Sequence, residues 1–204
     1  MAPAGDASIA QDGGDEVGID AVKAVFLDRD GVLNEVVVHE GLPYPPASLE
    51  DLRLAPDAVA ALARLKDAGF LLIVVTNQPD VARGTQSRAV VEAMNLAIGA
   101  ALPLDDFFTC WHDDADACAC RKPKPGLLVE AAERHGIDLR ASFLIGDRWR
   151  DIDAGASAGC RTVLIDRGYR DRAPETEPTH RATSLTGAAN WIVGLTPFPP
   201  TVTH

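Results

Sequence analysis

Apolar residues fall in short runs that end in polar groups, and these runs alternate with longer stretches of helical period. "AVKAVFLD" (21–28) reads as a buried strand ending in charge. "PDAVAALARLKDAGF" (56–70) has Pro56 at a helix start, Gly69 at its end, and Leu62 and Leu65 on one face. "LLIVVTN" (71–77) is the clearest buried strand, and "SRAVVEAMNLAIGAAL" (87–102) is an amphipathic helix with Ser87 in the cap position. The pattern continues as strand "DFFTCW" (106–111), helix "GLLVEAAERHG" (126–136), strand "SFLIGD" (142–147), helix "RDIDAGASAG" (150–159), strand "RTVLID" (161–166) and helix "SLTGAANWIV" (184–193).

Strands alternating with helices predict a doubly wound, Rossmann-like α/β fold with a parallel sheet covered on both faces. Such sheets bind ligands at the carboxyl ends of their strands. Asp28, Asp30, Thr76, Asn77, Cys110, His112 and Asp147 all fall at or just past a predicted strand end, so they should converge on one rim. The spacer "NEVVVHEGLPYPPASLEDLRLA" and the segment from Thr76 to Cys110 are too short for a large cap domain.

The 204 residues suit one domain, expected over 21–194. Residues 1–20 are expected to form a mobile arm and 195–204 a loose tail. The start lacks the basic and apolar stretches of a signal peptide, and no run is long enough to cross a bilayer. A cytoplasmic monomer without nucleic-acid or membrane partners is therefore expected. A net charge of −11 argues against binding polyanions through a basic surface.

"FLDRDGVLN" places Asp28 and Asp30 two residues apart, so both can face one ligand, and Gly31 permits a tight turn. Taken alone, this is equally an Asp-rich turn; a calcium loop would need further acidic ligands that "VLNEVVV" does not supply. "LIGDRWRDIDAG" adds Asp147 at a second strand end and Asp151 a helical turn later. Oxygen ligands from two strand ends suit Mg²⁺ with a phosphate partner, although Asp147 also suits a helix N-cap.

The motifs "DRDG", "VVTNQ", "RKPKP" and "GDRWRD" occur in order, and over about Lys23 to Asp166 the chain resembles the haloacid dehalogenase-like superfamily of phosphatases. The resemblance implies that Asp28 attacks phosphorus to form an aspartyl-phosphate. Asp30 would protonate the leaving oxygen and then activate water. Mg²⁺ would sit on Asp28, the Asp30 carbonyl and Asp147, with Asp151 in support. Thr76 and the Asn77 amide would hold phosphoryl oxygens, with Gln78 a further substrate contact, and Lys122 would neutralise developing charge. Phosphatases of this superfamily typically carry the second aspartate, whereas the dehalogenases lack it.

Three of the four cysteines crowd into "CWHDDADACACRKPKPG". Cys110, His112, Cys118 and Cys120 form a ligand set of the right number for a closed tetrahedral zinc site, with spacings tighter than those of zinc fingers. The alternative is three unrelated cysteines and a surface histidine. Cys160 is left over and reads as a small core residue. The loop is similar to that of the capless phosphatases acting on D-glycero-D-manno-heptose 1,7-bisphosphate or histidinol phosphate, where a structural zinc folds a loop beside the active site. Here it would fix Arg121 and Lys122 for phosphate binding.

The resemblance implies a phosphoric monoester hydrolase acting on a small sugar phosphate. The 7-phosphate of the heptose bisphosphate is favoured, with histidinol phosphate the alternative. A nucleic-acid end phosphatase and a non-catalytic metal-binding regulator stand further behind. Arg83, Arg121 and Arg148 are candidate substrate contacts. Trp149 and Arg150 read as helix-surface groups, and His39 and Tyr44 as either sugar contacts or ordinary loop residues. One departure stands out: the second motif reads "TNQPD", which puts Asp80 near an anionic substrate, where the heptose enzymes commonly read T-N-Q-S-G.

Overall fold

The computed structural model describes residues 21–195. The arm expected over 1–20 lies outside them, as do residues 196–204 of the tail expected over 195–204; Leu195 is instead the last residue of a helix. Six parallel strands make one sheet: β1 (Ala24–Leu27), β4 (Leu71–Asn77), β5 (Asp106–Cys110), β6 (Phe143–Gly146), β7 (Arg161–Ile165) and β8 (His180–Ala182). Their spatial order is β5-β4-β1-β6-β7-β8. A separate antiparallel pair, β2 (Val37–His39) and β3 (Leu42–Tyr44), lies between β1 and the first helix. With that pair set aside, the six strands run 3-2-1-4-5-6 in chain order, the doubly wound arrangement expected. The order reverses between β1 and β6, and a crevice opens where the connections after these two strands diverge.

Helices cover both faces. In α1 (Ala58–Asp67) the buried residues are Ala58, Ala61, Leu62 and Leu65, a single stripe at helical spacing. This stripe joins one apolar layer with Leu185, Ala188, Ala189 and Ile192 of α6 (Leu185–Leu195) and with Val25, Leu27, Leu72 and Val74 of the sheet. The opposite layer packs Phe26, Ile73 and Val75 against Leu127, Leu128 and Ala131 of α4 (Gly126–His135) and Ala154 of α5 (Trp149–Ala158). Alternate residues of β1 and β4 thus serve opposite layers, which is why these strands are apolar throughout. Cys160 packs in the second layer, as a small core residue should. The helix over 88–101, α3, buries Val91, Met94 and Ile98.

Four details depart from the sequence expectation. Ser87 occupies the N-cap position of α3 but its side chain makes no capping bond. A one-turn helix, α2 (Pro79–Ala82), begins at Pro79, whose fixed φ suits a first helical turn. The Pro-rich spacer contains the β2–β3 hairpin, closed by Glu40 and Gly41 at φ 53° and 82°. Both turn residues are left-handed, the geometry that matches strand twist, but Glu is a poor marker of such a turn. Strand β8 has only three residues and is fixed by pairing to β7 rather than by its own pattern.

Candidate active site

The site lies at the reversal of strand order. The Asp28 N–H still donates to the Ile145 carbonyl at 3.0 Å, so the sheet delivers the Asp28 carboxylate to its rim. The chain then turns tightly, with Leu33 N–H bonded to Arg29 O and Gly31 N–H to Asn34 O, both at 2.8 Å. Gly31 has φ +84°, and a Cβ there would collide with Oδ2 of Asp147. Only glycine lets the first aspartate loop approach the second this closely.

Lys122 links the rim carboxylates. Its Nζ lies 2.9 Å from Asp28 Oδ1 and 2.5 Å from Asp151 Oδ1, and it donates to Val75 O at 2.8 Å. It is almost fully buried. Burial alone would disfavour its charge, but Asp151 and Asp28 outweigh that and raise its pKa above the usual lysine value. Asp28 is pushed up to about 6, first by burial and then by Asp151 and Asp30, against the lowering effect of Lys122. The Lys122 backbone is clamped by Asn77: Lys122 N–H donates to Asn77 Oδ1 at 3.1 Å and Asn77 Nδ2 donates to Lys122 O at 3.0 Å.

Asp147 is buried, and neither carboxylate oxygen has a well-formed hydrogen bond. Burial, then Asp28 and Asp151, drive its pKa far upward, only partly offset by Tyr169 and Arg148. Ligand oxygens of Asp28, Asp147 and Asp151 all lie within 4.8 Å of one another. Three converging carboxylates, one without a well-formed hydrogen bond, fit a hard divalent cation bound through oxygen. Asp147 is not the cap of α5. That position belongs to Arg148, whose N–H donates to the Asp151 carboxylate at 3.1 Å, leaving Asp147 free to face the cluster.

Asp30 is held from three directions. Arg29 forks onto it with contacts of 2.8–3.3 Å, Asn34 Nδ2 donates at 3.0 Å, and Gln78 Nε2 donates at 2.8 Å. Arg29 is fully buried and also bonds Asn95 at 2.9 Å. Gln78 Nε2 bonds Thr76 Oγ1 at 2.9 Å as well. Gln78, expected as a substrate contact, thus braces Asp30, and Thr76 is buried beneath it.

The four candidate zinc ligands come together at the end of β5. Cys120 Sγ lies 3.3 Å from Cys110 Sγ and 3.4 Å from Cys118 Sγ; Cys110 and Cys118 are 3.8 Å apart. His112 Nδ1 lies 3.4 Å from Cys120 Sγ and 3.7 Å from Cys110 Sγ. These separations are too long for disulfides. They approach the edges of a tetrahedron around zinc, about 3.8 Å for sulfur pairs at a bond length of roughly 2.3 Å. The thiols cannot all ionise without a cation. Cys118 falls to about 7, because hydrogen bonds outweigh its burial, whereas Cys120 is pushed up to about 12 by burial and its two sulfur neighbours.

Between the ligands, Asp114–Asp116 form a short 3-10 turn capped reciprocally by Asp113 and Asp116. Asp113 grips Arg83 with bonds of 2.7 and 2.8 Å. Asp114 accepts from Arg121 Nε at 2.9 Å and from both terminal nitrogens of Arg150 at 3.1 and 3.2 Å. Arg150 also reaches Lys122 O at 3.3 Å. It therefore does not stand on the helix surface as the sequence suggested: in the first turn of α5 it faces the cysteine loop. The Trp149 ring packs against both the Arg150 and the Arg172 guanidiniums.

An open cavity of about 330 Å³ gathers these groups. Asp28, Asp30, Asn77, Gln78, Arg83, Arg121, Lys122, Arg148 and Asp151 all line it, joined by Asp80, as its place in the second motif suggested, by Tyr44, which the sequence left open, and by Asp114 and Arg150, which the sequence did not assign to the site. Thr76 is not among the lining residues, and Asp147 borders a smaller recess that shares Arg148. Arg148 is paired to Asp171 at 2.6 Å, and Asp80 to Arg83 at 3.4 Å. His39 packs against Tyr44 outside the cavity wall. Arg29 and Asn34 were missed altogether; alternation along a strand points Arg29 away from the ligand and gives no sign that it returns to Asp30.

Residues 119–188 match the HAD-hydrolase-like family model. A D-glycero-D-manno-heptose-1,7-bisphosphate 7-phosphatase of Thermosynechococcus vestitus is 37% identical, the match covering 83% of this chain and 94% of that one. The Escherichia coli K12 D-glycero-beta-D-manno-heptose-1,7-bisphosphate 7-phosphatase is 32% identical over 85% of this chain and 89% of its own. Among solved structures, the D,D-heptose 1,7-bisphosphate phosphatase of B. bronchiseptica, complexed with magnesium and phosphate, superposes with a TM-score of 0.72 at 31% identity, covering 86% of this chain and all of that one. The rim aspartates, the lysine between them and the cysteine loop thus stand on a scaffold shared with these enzymes, and the chain belongs to the D-glycero-D-manno-heptose-1,7-bisphosphate 7-phosphatase family of haloacid dehalogenase-like hydrolases.

Proposed function

We propose that this chain is a Mg²⁺-dependent phosphatase that removes the 7-phosphate of D-glycero-D-manno-heptose 1,7-bisphosphate through an aspartyl-phosphate on Asp28. The observation that carries the reading is the Asp28–Lys122–Asp151 group in an open cavity walled by both carboxylates and cations, in a chain whose relatives bear that activity. An Asp28 oxygen attacks phosphorus as the bond from phosphorus to the sugar oxygen breaks. The Asp30 carboxyl gives its proton to the departing oxygen. As a carboxylate it then takes a proton from the water that attacks the phospho-aspartate, releasing inorganic phosphate and restoring Asp28. Arg29, Asn34 and Gln78 keep Asp30 aimed at the cavity. Lys122, with Asn77 holding its backbone, counters the charge that develops on the phosphoryl oxygens.

Asp28 and Asp147, with Asp151 in support, would hold Mg²⁺, which supplies the positive charge that lets an anionic nucleophile meet an anionic phosphate. Asp147→Asn should raise the Mg²⁺ concentration for half-maximal activity about 100-fold or more, since ligand positions outweigh the supporting contacts that alone change affinity by about 10–100-fold. Phosphate release from the heptose bisphosphate under Mg²⁺ titration tests both points. No release by the parent chain removes the substrate assignment, and equal Mg²⁺ dependence in parent and variant removes Asp147 from the metal site.

Cys110, His112, Cys118 and Cys120 would hold a structural zinc, a closed set with no open position for a reacting water. The metal would order a loop with little apolar core and thereby set Arg121 and Lys122 beside the cavity. Cys118→Ser should lose the metal by elemental analysis and raise KM at least about tenfold, while far-ultraviolet circular dichroism retains the α/β signature. A variant with parent KM and parent metal content would overturn the assignment.

A further inference from the structure

Asp114 is a half-exposed carboxylate on the metal loop, but its partners are two arginines from different elements. Arg121 follows Cys120 and its side chain is only 9% exposed; Arg150 lies in the first turn of α5 and its side chain is 27% exposed. Both guanidiniums and Asp114 itself line the cavity that holds Asp28. Arg150 meets Asp114 through both terminal nitrogens, and Arg121 meets it through Nε, with a longer 3.5 Å contact from a terminal nitrogen. A planar fork of donors around an anion is the geometry by which arginine receives phosphate.

The other hydrogen-bond partners of the pair are backbone carbonyls, His112 O for Arg121 and Lys122 O for Arg150, each at 3.3 Å, and Arg150 also lies over the Trp149 ring. Asp113 stands 3.9 Å from Arg121 but is committed to Arg83. Asp114 is thus the main counter-charge of two arginines that would otherwise face the cavity unpaired. At 55% side-chain exposure it has water available if it leaves them.

We infer that Asp114 is a specificity-determining residue: its carboxylate occupies, in the free protein, the anion position between Arg121 and Arg150 that receives the second phosphate of a bisphosphate substrate. This rests on the functional reading above and deepens it. A monophosphate leaves the Asp114 pairing undisturbed and is bound by the catalytic rim alone. A bisphosphate must displace or share the carboxylate, so Asp114 lowers the advantage the second phosphate would otherwise confer. Only a ligand of higher charge than the carboxylate competes well for the pair, which disfavours substrates carrying a carboxylate or neutral group there.

The test compares D-glycero-D-manno-heptose 1,7-bisphosphate with D-glycero-D-manno-heptose 7-phosphate, reading the ratio of KM for the monophosphate to KM for the bisphosphate. In Asp114→Asn this ratio should rise on the order of tenfold, the equivalent of one charge-assisted contact released from competition. Asp114→Glu keeps the carboxylate and should stay near the parent ratio. Arg150→Gln, which leaves the metal loop's own sequence intact, should lower the ratio and should largely cancel the gain when combined with Asp114→Asn. An unchanged or lower ratio in Asp114→Asn, or a parent ratio in Arg150→Gln, overturns the inference. If the parent chain hydrolyses neither sugar phosphate, the functional reading fails by itself. Calorimetric binding of the bisphosphate to parent and Asp114→Asn protein then decides the inference separately: tighter binding by the variant supports it and equal or weaker binding overturns it.

Discussion

Asp28→Asn is expected to reduce phosphate release by on the order of 10⁴-fold or more, the scale of losing a reacting nucleophile, while the protein stays folded. The amide keeps the shape of the side chain but removes the anion that attacks. It also relieves part of the crowding among Asp28, Asp147 and Asp151, whose ligand oxygens lie within 4.8 Å of one another. Thermal unfolding without added metal should therefore change little or shift slightly upward, as a buried like charge is removed. Loss of turnover together with a large fall in melting temperature would point to a structural role. Turnover within about tenfold of the parent, with mass spectrometry excluding deamidation, would remove Asp28 as the nucleophile.

Lys122→Met should affect stability and activity together. The methionine fits roughly the same volume but leaves Asp28 and Asp151 without the ammonium now 2.9 and 2.5 Å away. Removing one partner of a buried ionic group typically costs about 3–5 kcal/mol, because the remaining charges stay desolvated. Loss of a preorganised cation at the phosphoryl oxygens should lower kcat by about 10²–10³-fold. Mg²⁺ separates the two effects. Since the variant's carboxylates lack their lysine, the cation should raise its urea midpoint more than the parent's, by linkage to the folded state. Its kcat should remain low at saturating Mg²⁺. Equal Mg²⁺ stabilisation of parent and variant would show that the lysine and the metal do not share the same carboxylates.

The largest expected effects thus lie on residues that were visible in the sequence through their motifs. The shape of the environment around them was less visible. The N-cap alternative for Asp147 disappears because Arg148 takes the cap and Asp151 accepts its N–H. Gln78 and Asn77 sit in one motif, but the side chain of one braces Asp30 and that of the other clamps the Lys122 backbone. Arg150, expected on the surface, points to Asp114 because the cysteine loop folds back over the start of α5.

The sequence by itself determined the alternating elements, the parallel sheet and the convergence of Asp28, Asp30 and Asp147, because apolar runs and their polar ends are local properties of the chain; Lys122, on a loop, was indicated only by its motif. It also marked the clustering of Cys110, His112, Cys118 and Cys120, which lie within eleven positions. The three-residue strand β8, the Glu40-Gly41 hairpin, the buried Arg29 beneath Asp30 and the arginine pair around Asp114 were decided only by the tertiary structure. Each depends on partners far away in sequence: β8 exists through β7, Arg29 reaches across to Asn95, and Arg150 meets a carboxylate 36 residues earlier. Pairings of that range have no local period or spacing, so burial and charge balance select them only after the sheet has brought the segments together.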